Sequence, residues 1–327
     1  MLEALLITTF LGKALWMWLV FMSIVLILLA LDLGFFHRDQ HEIEVKESLW
    51  MSAGYISIGL LFGAWVWFSF GAESGMTYLT GFLIEKSLSL DNIFVISLIF
   101  VGLNIPRKYQ HRVLFWGIIG VIVLRGIMIG LGAALVAEFS WILYIFAAFL
   151  IFTGIKLLFI KGDTDHTPDI ENNKAILFFK KRFNVTNQIH GQNFFVKLPH
   201  SKTGKMAWFA TPLFLALLAI EFVDLVFAVD SVPAIFTITT DPYIIYTSNI
   251  FAILGLRALY FALAAILHKF SYLKYALALV LIFIGSKVFI ADLMGWIKFP
   301  PAVSLGVTVA LLAGGVILSL IKNRKTA

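Results

Sequence analysis

Ten of the ionisable side chains that interrupt otherwise apolar stretches of this chain stand out: Glu85, Lys86, Asp91, Arg125, Lys156, Glu221, Asp224, Asp230, Arg257 and Lys287. Five are acidic and five are basic. A charge at the centre of a bilayer costs at least about 2.5–3.5 kcal/mol on insertion scales. Side chains in such surroundings must therefore pair, take up protons or bind ions. The even balance allows mutual neutralisation, and Lys156, near the end of its apolar stretch, can reach the interface on its own stem.

Helix geometry restricts what the acids can do together. Glu85 and Asp91 are six residues apart, so on an ideal helix they differ by about 240° and about 9 Å of rise. Asp224 and Asp230 repeat that spacing, whereas Glu221 and Asp224 are three apart and share a face. Two arrangements satisfy this. One acid of each pair faces a site while the other pairs with Arg125 or Arg257, or each helix is broken locally. Pro233, which has no N–H to give to the Val229 carbonyl, predicts a break in the second stretch. The carboxylates, the Asn92 amide and the hydroxyls of Ser87, Ser89 and Ser231 form an all-oxygen donor set. Such a set suits hard cations such as Mn²⁺, Mg²⁺ or Ca²⁺ rather than Zn²⁺ or Cu⁺. The alternative is an ion-pair network that only holds helices together.

The elements that carry these residues read as membrane spans. Of 327 residues, 61% are hydrophobic and 13% charged, against about 25% charged in a soluble domain. Nine apolar stretches, about 15–33, 49–70, 76–103, 113–137, 139–160, 207–236, 245–267, 273–293 and 301–321, are each long enough to cross about 30 Å of hydrocarbon. The first is expected to remain as a span, since no basic cluster precedes it and no small-residue cleavage site follows. Eighteen Lys and Arg flank the spans on one side, against Lys13 and Lys298 on the other. The predicted orientation therefore has the N-terminus outside and the C-terminus in the cytoplasm. The same placement argues against nucleic acid as the partner of the +6 net charge. There is no cysteine, which excludes disulfides, thiol chemistry and cysteine metal ligands.

Two stretches of the chain match. Asp91 aligns with Asp230 and Glu85 with Asp224 at an offset of 139 residues; Arg125 aligns with Arg257 at 132, and Gly154 and Lys156 align with Gly285 and Lys287 at 131. Each copy holds three spans, so the copies have opposite orientations. That is the inverted-repeat plan of many secondary transporters, with the site at the repeat interface near mid-membrane. The expected fold is thus an all-α polytopic membrane protein of about nine transmembrane helices with a 3+3 inverted repeat. Two N-terminal helices fill 1–75, the repeats 76–160 and 207–293, and the last helix with its basic tail 294–327. The connection 161–206 is polar and basic; Asn173–Phe183 suits an amphipathic helix on an anionic leaflet, and Gln192–Phe209 suggests a hairpin. His37 with His41, and the trio Asp163, Asp165 and Asp169, are weak as metal sites; the trio lacks the glycine and terminal glutamate of a calcium loop. No catalytic motif occurs, and neither an enzyme nor a bound organic cofactor is expected.

The segments TGFLIEKSLSLDNIFV, TPLFLALLAIEFVDLVFAVDSVPAIF and FAILGLRALYFALAAILHKF resemble the TerC family, in particular its Alx-like branch, and the resemblance runs from about residue 15 to 321. It implies a bacterial inner-membrane protein. Alx-like members are similar to manganese exporters, and the branch is also described as a membrane-bound redox modulator. Carried over by motif, Glu85, Asp91, Asn92, Glu221, Asp224 and Asp230 are the ion-site residues; Lys86, Arg125, Arg257 and Lys287 are the candidate counter-ions. The partners expected are the lipid bilayer and a divalent cation substrate. A non-transport scaffold that assists insertion or metallation of exported proteins is the rival reading.

Overall fold

The computed structural model describes residues 8–34, 45–159, 185–199, 206–263, 272–294 and 299–326; the side chains of Asp91 and Asp230 lie outside that description although their backbones are helical. His37, His41, the Asp163–Asp165–Asp169 trio and the segment 173–183 fall outside the described residues altogether.

A short hairpin, β1 (Thr9–Phe10) with β2 (Lys13–Ala14), leads into α1 (Leu15–Gly34). α2 (Val45–Phe70) ends at Gly71, whose φ of 91° needs a residue without a Cβ. α3 (Ala72–Gly102) closes on Asn104, at φ 50°. α4 (Arg107–Glu138) and α5 (Ile142–Phe159) complete the first half. An antiparallel hairpin, β3 (Phe195–Pro199) with β4 (Met206–Ala210), forms where the sequence suggests one and ends one residue beyond that stretch. It runs through Thr211 into α6 (Pro212–Phe236), which starts with proline at the position where a missing N–H costs nothing. α7 (Pro242–Leu254) is capped by the Asp241 carboxylate, which accepts from the Tyr243 and Ile244 amides. α8 (Leu256–Leu263), α9 (Leu273–Leu293) and α10 (Pro301–Thr326) follow.

Among the described residues, eight segments are long and apolar enough to cross a membrane, α7 and α8 together making one of them, Pro242–Ala262. The remaining expected span, 76–103, is α3. It is one helix of 31 residues, but Glu73, Glu85, Lys86 and Asp91 dilute its apolarity.

The crossing of α5 and α9 shows how the halves are related. A Cβ built on Gly154 would meet the Ala278 carbonyl at 2.7 Å and Ile282; one built on Gly285 would meet the Ala147 carbonyl at 2.5 Å and Ile151. Those pairs keep the offset of 131 residues in both members. The contacts run in opposite directions along the two helices, so α5 and α9 are antiparallel and exchange under a two-fold axis that lies across them. The same exchange relates the packing of α3 on α7 to that of α6 on α4. An axis lying across spanning helices is the axis of an inverted repeat.

The break predicted at Pro233 is absent, and the alternative of locally broken helices does not hold in either acid-bearing helix. α3 is unbroken, and α6 runs through Pro233 to Phe236. Pro233 leaves the Val229 carbonyl without its helical donor, but it sits in the last turn, so a bend there redirects only the three residues that follow. The interruption is in the seventh span instead, at Gly255 between α7 and α8. There the Ala252 carbonyl, freed by the end of α7, accepts a hydrogen bond of 2.9 Å from the Lys86 ammonium. A cation at a helix C-terminus also meets the negative end of the dipole.

The N-terminal pair α1 and α2 packs on α3 and α7 through a cluster of rings. Phe21, Phe62, Tyr78, Phe82, Tyr243 and Phe251 are all buried there, with Phe62 and Phe251 at a centroid distance of 4.7 Å. Gly59 and Gly63 let Phe82 and Tyr78 lie directly on the α2 backbone, and the Tyr78 hydroxyl donates to the Gly59 carbonyl at 3.0 Å.

Candidate ion site

The centre of the molecule is built around Arg125 on α4, which is 1% exposed. Its guanidinium grips Asp224 of α6 with two bonds, Nε to Oδ2 at 3.2 Å and Nη2 to Oδ1 at 3.0 Å. Nη1 donates to Ser231 Oγ at 2.7 Å and lies 2.9 Å from Glu85 Oε1 on α3. Asn249 of α7 completes the ring: its amide donates to Glu85 Oε2 at 2.8 Å and its oxygen stands 3.4 Å from Arg125 Nη1. Four helices, two from each half, thus converge on one guanidinium. The planar fork of arginine fits this task, since it can face a carboxylate with two donors and still reach two further oxygens.

Carboxyl groups outnumber the arginine here. Glu85 and Asp224 share one arginine. Glu221 lies one turn before Asp224, and a Cβ at Gly120 of α4 would overlap its carboxylate, so glycine makes the room for it. Both Glu221 carboxylate oxygens are buried and have no hydrogen-bond partner among the described residues; the same holds for the Asn92 Oδ1. An unpartnered carboxylate away from water is costly unless it carries a proton or meets a cation.

The other sequence-predicted residues are dispersed. Lys86 serves the end of α7, and Lys287, buried, donates to Ser304 of α10 at 3.2 Å. Lys156 is exposed on α5. Arg257, the repeat equivalent of Arg125, does not turn to the central acids but pairs with Asp32 at the end of α1; Tyr55 of α2 hydrogen-bonds the same carboxylate. The Gly255 interruption accounts for this difference, because it separates α8 from α7 just before Arg257 whereas α4 is continuous through Arg125. Among the described residues no three His, Cys, Asp or Glu side chains converge on one point. Asp91 and Asp230, whose side chains lie outside the description, occupy α3 and α6 about 9 Å along the axis from Glu85 and Asp224.

Reading the sequence did not single out Asp32, Tyr55 or Asn249. Asp32 is the one charge inside the first apolar stretch, a signal in itself. Asn249 carried no signal beyond being an amide in an apolar run.

A family model described as "Integral membrane protein TerC family" matches residues 70–327. An "Uncharacterized membrane protein" of Rickettsia bellii is 51% identical over 306 residues, covering 94% of this chain and 97% of the relative. One of Myxococcus xanthus, "Uncharacterized membrane protein STKORF319", is 48% identical over 94% and 93%. A protein of Escherichia coli named "Putative membrane-bound redox modulator Alx" is 43% identical over 90% of this chain and 91% of its own. No solved structure matches.

Proposed function

The chain belongs to the TerC family of integral membrane proteins, and from that premise we propose that it exports a divalent metal cation, Mn²⁺ first among candidates, in exchange for protons. The observation that carries the reading is the surplus of buried carboxylates between the two halves. Glu85 and Asp224 share Arg125, while Glu221 has no partner among the described residues. Such a site has carboxylate oxygens to offer a cation once a proton has left. Its donors are oxygens, which favour Mn²⁺ or Mg²⁺ over softer ions.

Export also sets an energetic demand. Moving charge outward from a negative cytoplasm costs about 2.3 kcal/mol per charge per 100 mV, so roughly 7 kcal/mol for a +2 ion at about 150 mV. A passive pore cannot supply that. A carboxylic acid that holds a proton in one step and a metal ion in the next can couple outward metal to inward protons. With the N-terminus outside, as the distribution of Lys and Arg predicts, Glu221 stands on the cytoplasmic side of Asp224, where an outgoing ion would meet it first. The bacterial inner membrane is the setting this reading implies. A thiol-based redox role has no cysteine to carry it.

Purified protein in liposomes tests the proposal. Mn²⁺ should cross only when the protein is present, and faster down an opposing proton gradient. Mn²⁺ movement no faster than in protein-free liposomes would defeat the transport reading.

A further inference from the structure

The hairpin β3–β4 shows an apolar face to its surroundings. Phe195, Lys197, Pro199, Met206 and Trp208 alternate outward along the two strands, with Lys197 paired opposite Trp208 and Pro199 opposite Met206. Met206 is 66% and Trp208 62% exposed. Facing water, a contiguous patch of this kind is unfavourable and marks an interaction surface.

Three observations identify what covers it. The hairpin is tied to the start of α6 and to α4. β4 passes through Thr211 directly into α6, the Thr211 amide and hydroxyl bond the Phe194 and Asn193 carbonyls at 2.9 and 2.7 Å, and Arg112 of α4 bonds Gln192 at 3.0 Å. The exposed face then looks along a spanning helix, because Phe195 on that face packs at a tilt of 49° against Phe214 in the first turn of α6, with centroids 4.4 Å apart. Finally, the charge is one-sided. From Asn172 to Met206 there are seven Lys or Arg and no Asp or Glu, and the Lys197 ammonium sits 5.1 Å from the Trp208 ring on the apolar face itself. Aromatic rings at headgroup depth and lysines beside anionic lipid are the two ingredients of an interfacial anchor.

We propose that the β3–β4 hairpin is a membrane-surface anchor, with Trp208, Met206 and Phe195 seated at headgroup depth and Lys197 on anionic lipid phosphates. It fixes the start of α6, the helix that carries Glu221 and Asp224, to one leaflet of the bilayer.

The absence of cysteine makes a direct test simple. Met206→Cys and Trp208→Cys, with Gln188→Cys on an exposed loop as reference, are spin-labelled in the full chain. Each is placed in nanodiscs of phosphatidylcholine alone or with phosphatidylglycerol. The labels at 206 and 208 should be relaxed by oxygen, which dissolves in lipid, and shielded from a water-soluble nickel chelate, while the label at 188 shows the reverse. The shielding should deepen with phosphatidylglycerol and weaken with Lys197→Glu. Shielding equal in both lipids and unmoved by Lys197→Glu would remove anionic lipid as the partner. Labels at 206 and 208 as open to nickel as the one at 188 would overturn the anchor and leave the face to a protein.

Discussion

Arg125 serves Asp224, Ser231, Glu85 and Asn249 at once, so its loss should be the most damaging single change in the centre. Arg125→Ala leaves two buried carboxylates without a counter-charge, and breaking a buried pair in this way costs about 3–5 kcal/mol. The melting temperature should fall sharply. Asp224→Asn in the same chain should restore part of it, by removing one of the stranded charges. Arg125→Lys should also fail, since an ammonium cannot grip Asp224 with two parallel bonds and reach Ser231 as well. Glu221→Gln should behave in the opposite sense. It keeps the shape on Gly120 and removes an unpartnered charge, so the fold should be unharmed or more stable while metal-dependent stabilisation is lost. Thermal melts with and without Mn²⁺ separate the two classes; a Glu221→Gln protein that melts lower with an unchanged Mn²⁺ response would make that residue structural. The charged residues of the centre were legible in the sequence because they interrupt otherwise apolar runs. Their pairing was not. Which acid Arg125 meets depends on the crossing of α4 and α6, and nothing in the residue spacing indicates that Arg257 turns instead to Asp32.

At the scale of elements, the two halves match where small residues set the packing and differ where a helix is interrupted. Gly154 and Gly285 occupy equivalent places in the α5–α9 crossing, each against the other helix's backbone. Gly154→Ala and Gly285→Ala should therefore destabilise to similar extents, about 1–3 kcal/mol from overpacking, whereas Gly130→Ala, with open space around it, should be neutral. Unequal effects at the two positions would count against the two-fold relation. The Gly255 interruption releases Arg257 to Asp32, so α1 is tied to α8 through a buried ion pair. Asp32→Asn should weaken that tie and lower the melting temperature, and Tyr55→Phe, which removes a second donor to Asp32, should do so by less. The spans were visible in the sequence from apolar length alone, and the repeat from four charged positions in order. The site of the interruption was not, because Pro233 offered a stronger local signal than Gly255. Pro233 stands in the last turn of α6, so a bend at it displaces only the three residues that follow.

For the molecule as a whole, an inverted pair of three-helix units brings Glu85 from one half and Asp224 from the other to a shared arginine, and leaves Glu221 as a carboxyl group with no partner among the described residues. An exchanger needs that combination, because a fully neutralised centre would have nothing to offer an incoming cation, whereas a network that only fastened helices would gain from full pairing. Asp91 and Asp230 stand at equivalent places in α3 and α6, so Asp91→Asn and Asp230→Asn should each reduce Mn²⁺ efflux from liposomes with the fold retained. The most direct measurement of the central claim follows protons and metal together. Wild-type protein and Glu221→Gln are placed in liposomes loaded with Mn²⁺ and a pH-sensitive dye, and a proton gradient is imposed. Wild type should move protons inward as Mn²⁺ leaves, and Glu221→Gln should do neither at a comparable rate. Proton movement independent of Mn²⁺ in wild type, or full exchange in Glu221→Gln, would contradict the account.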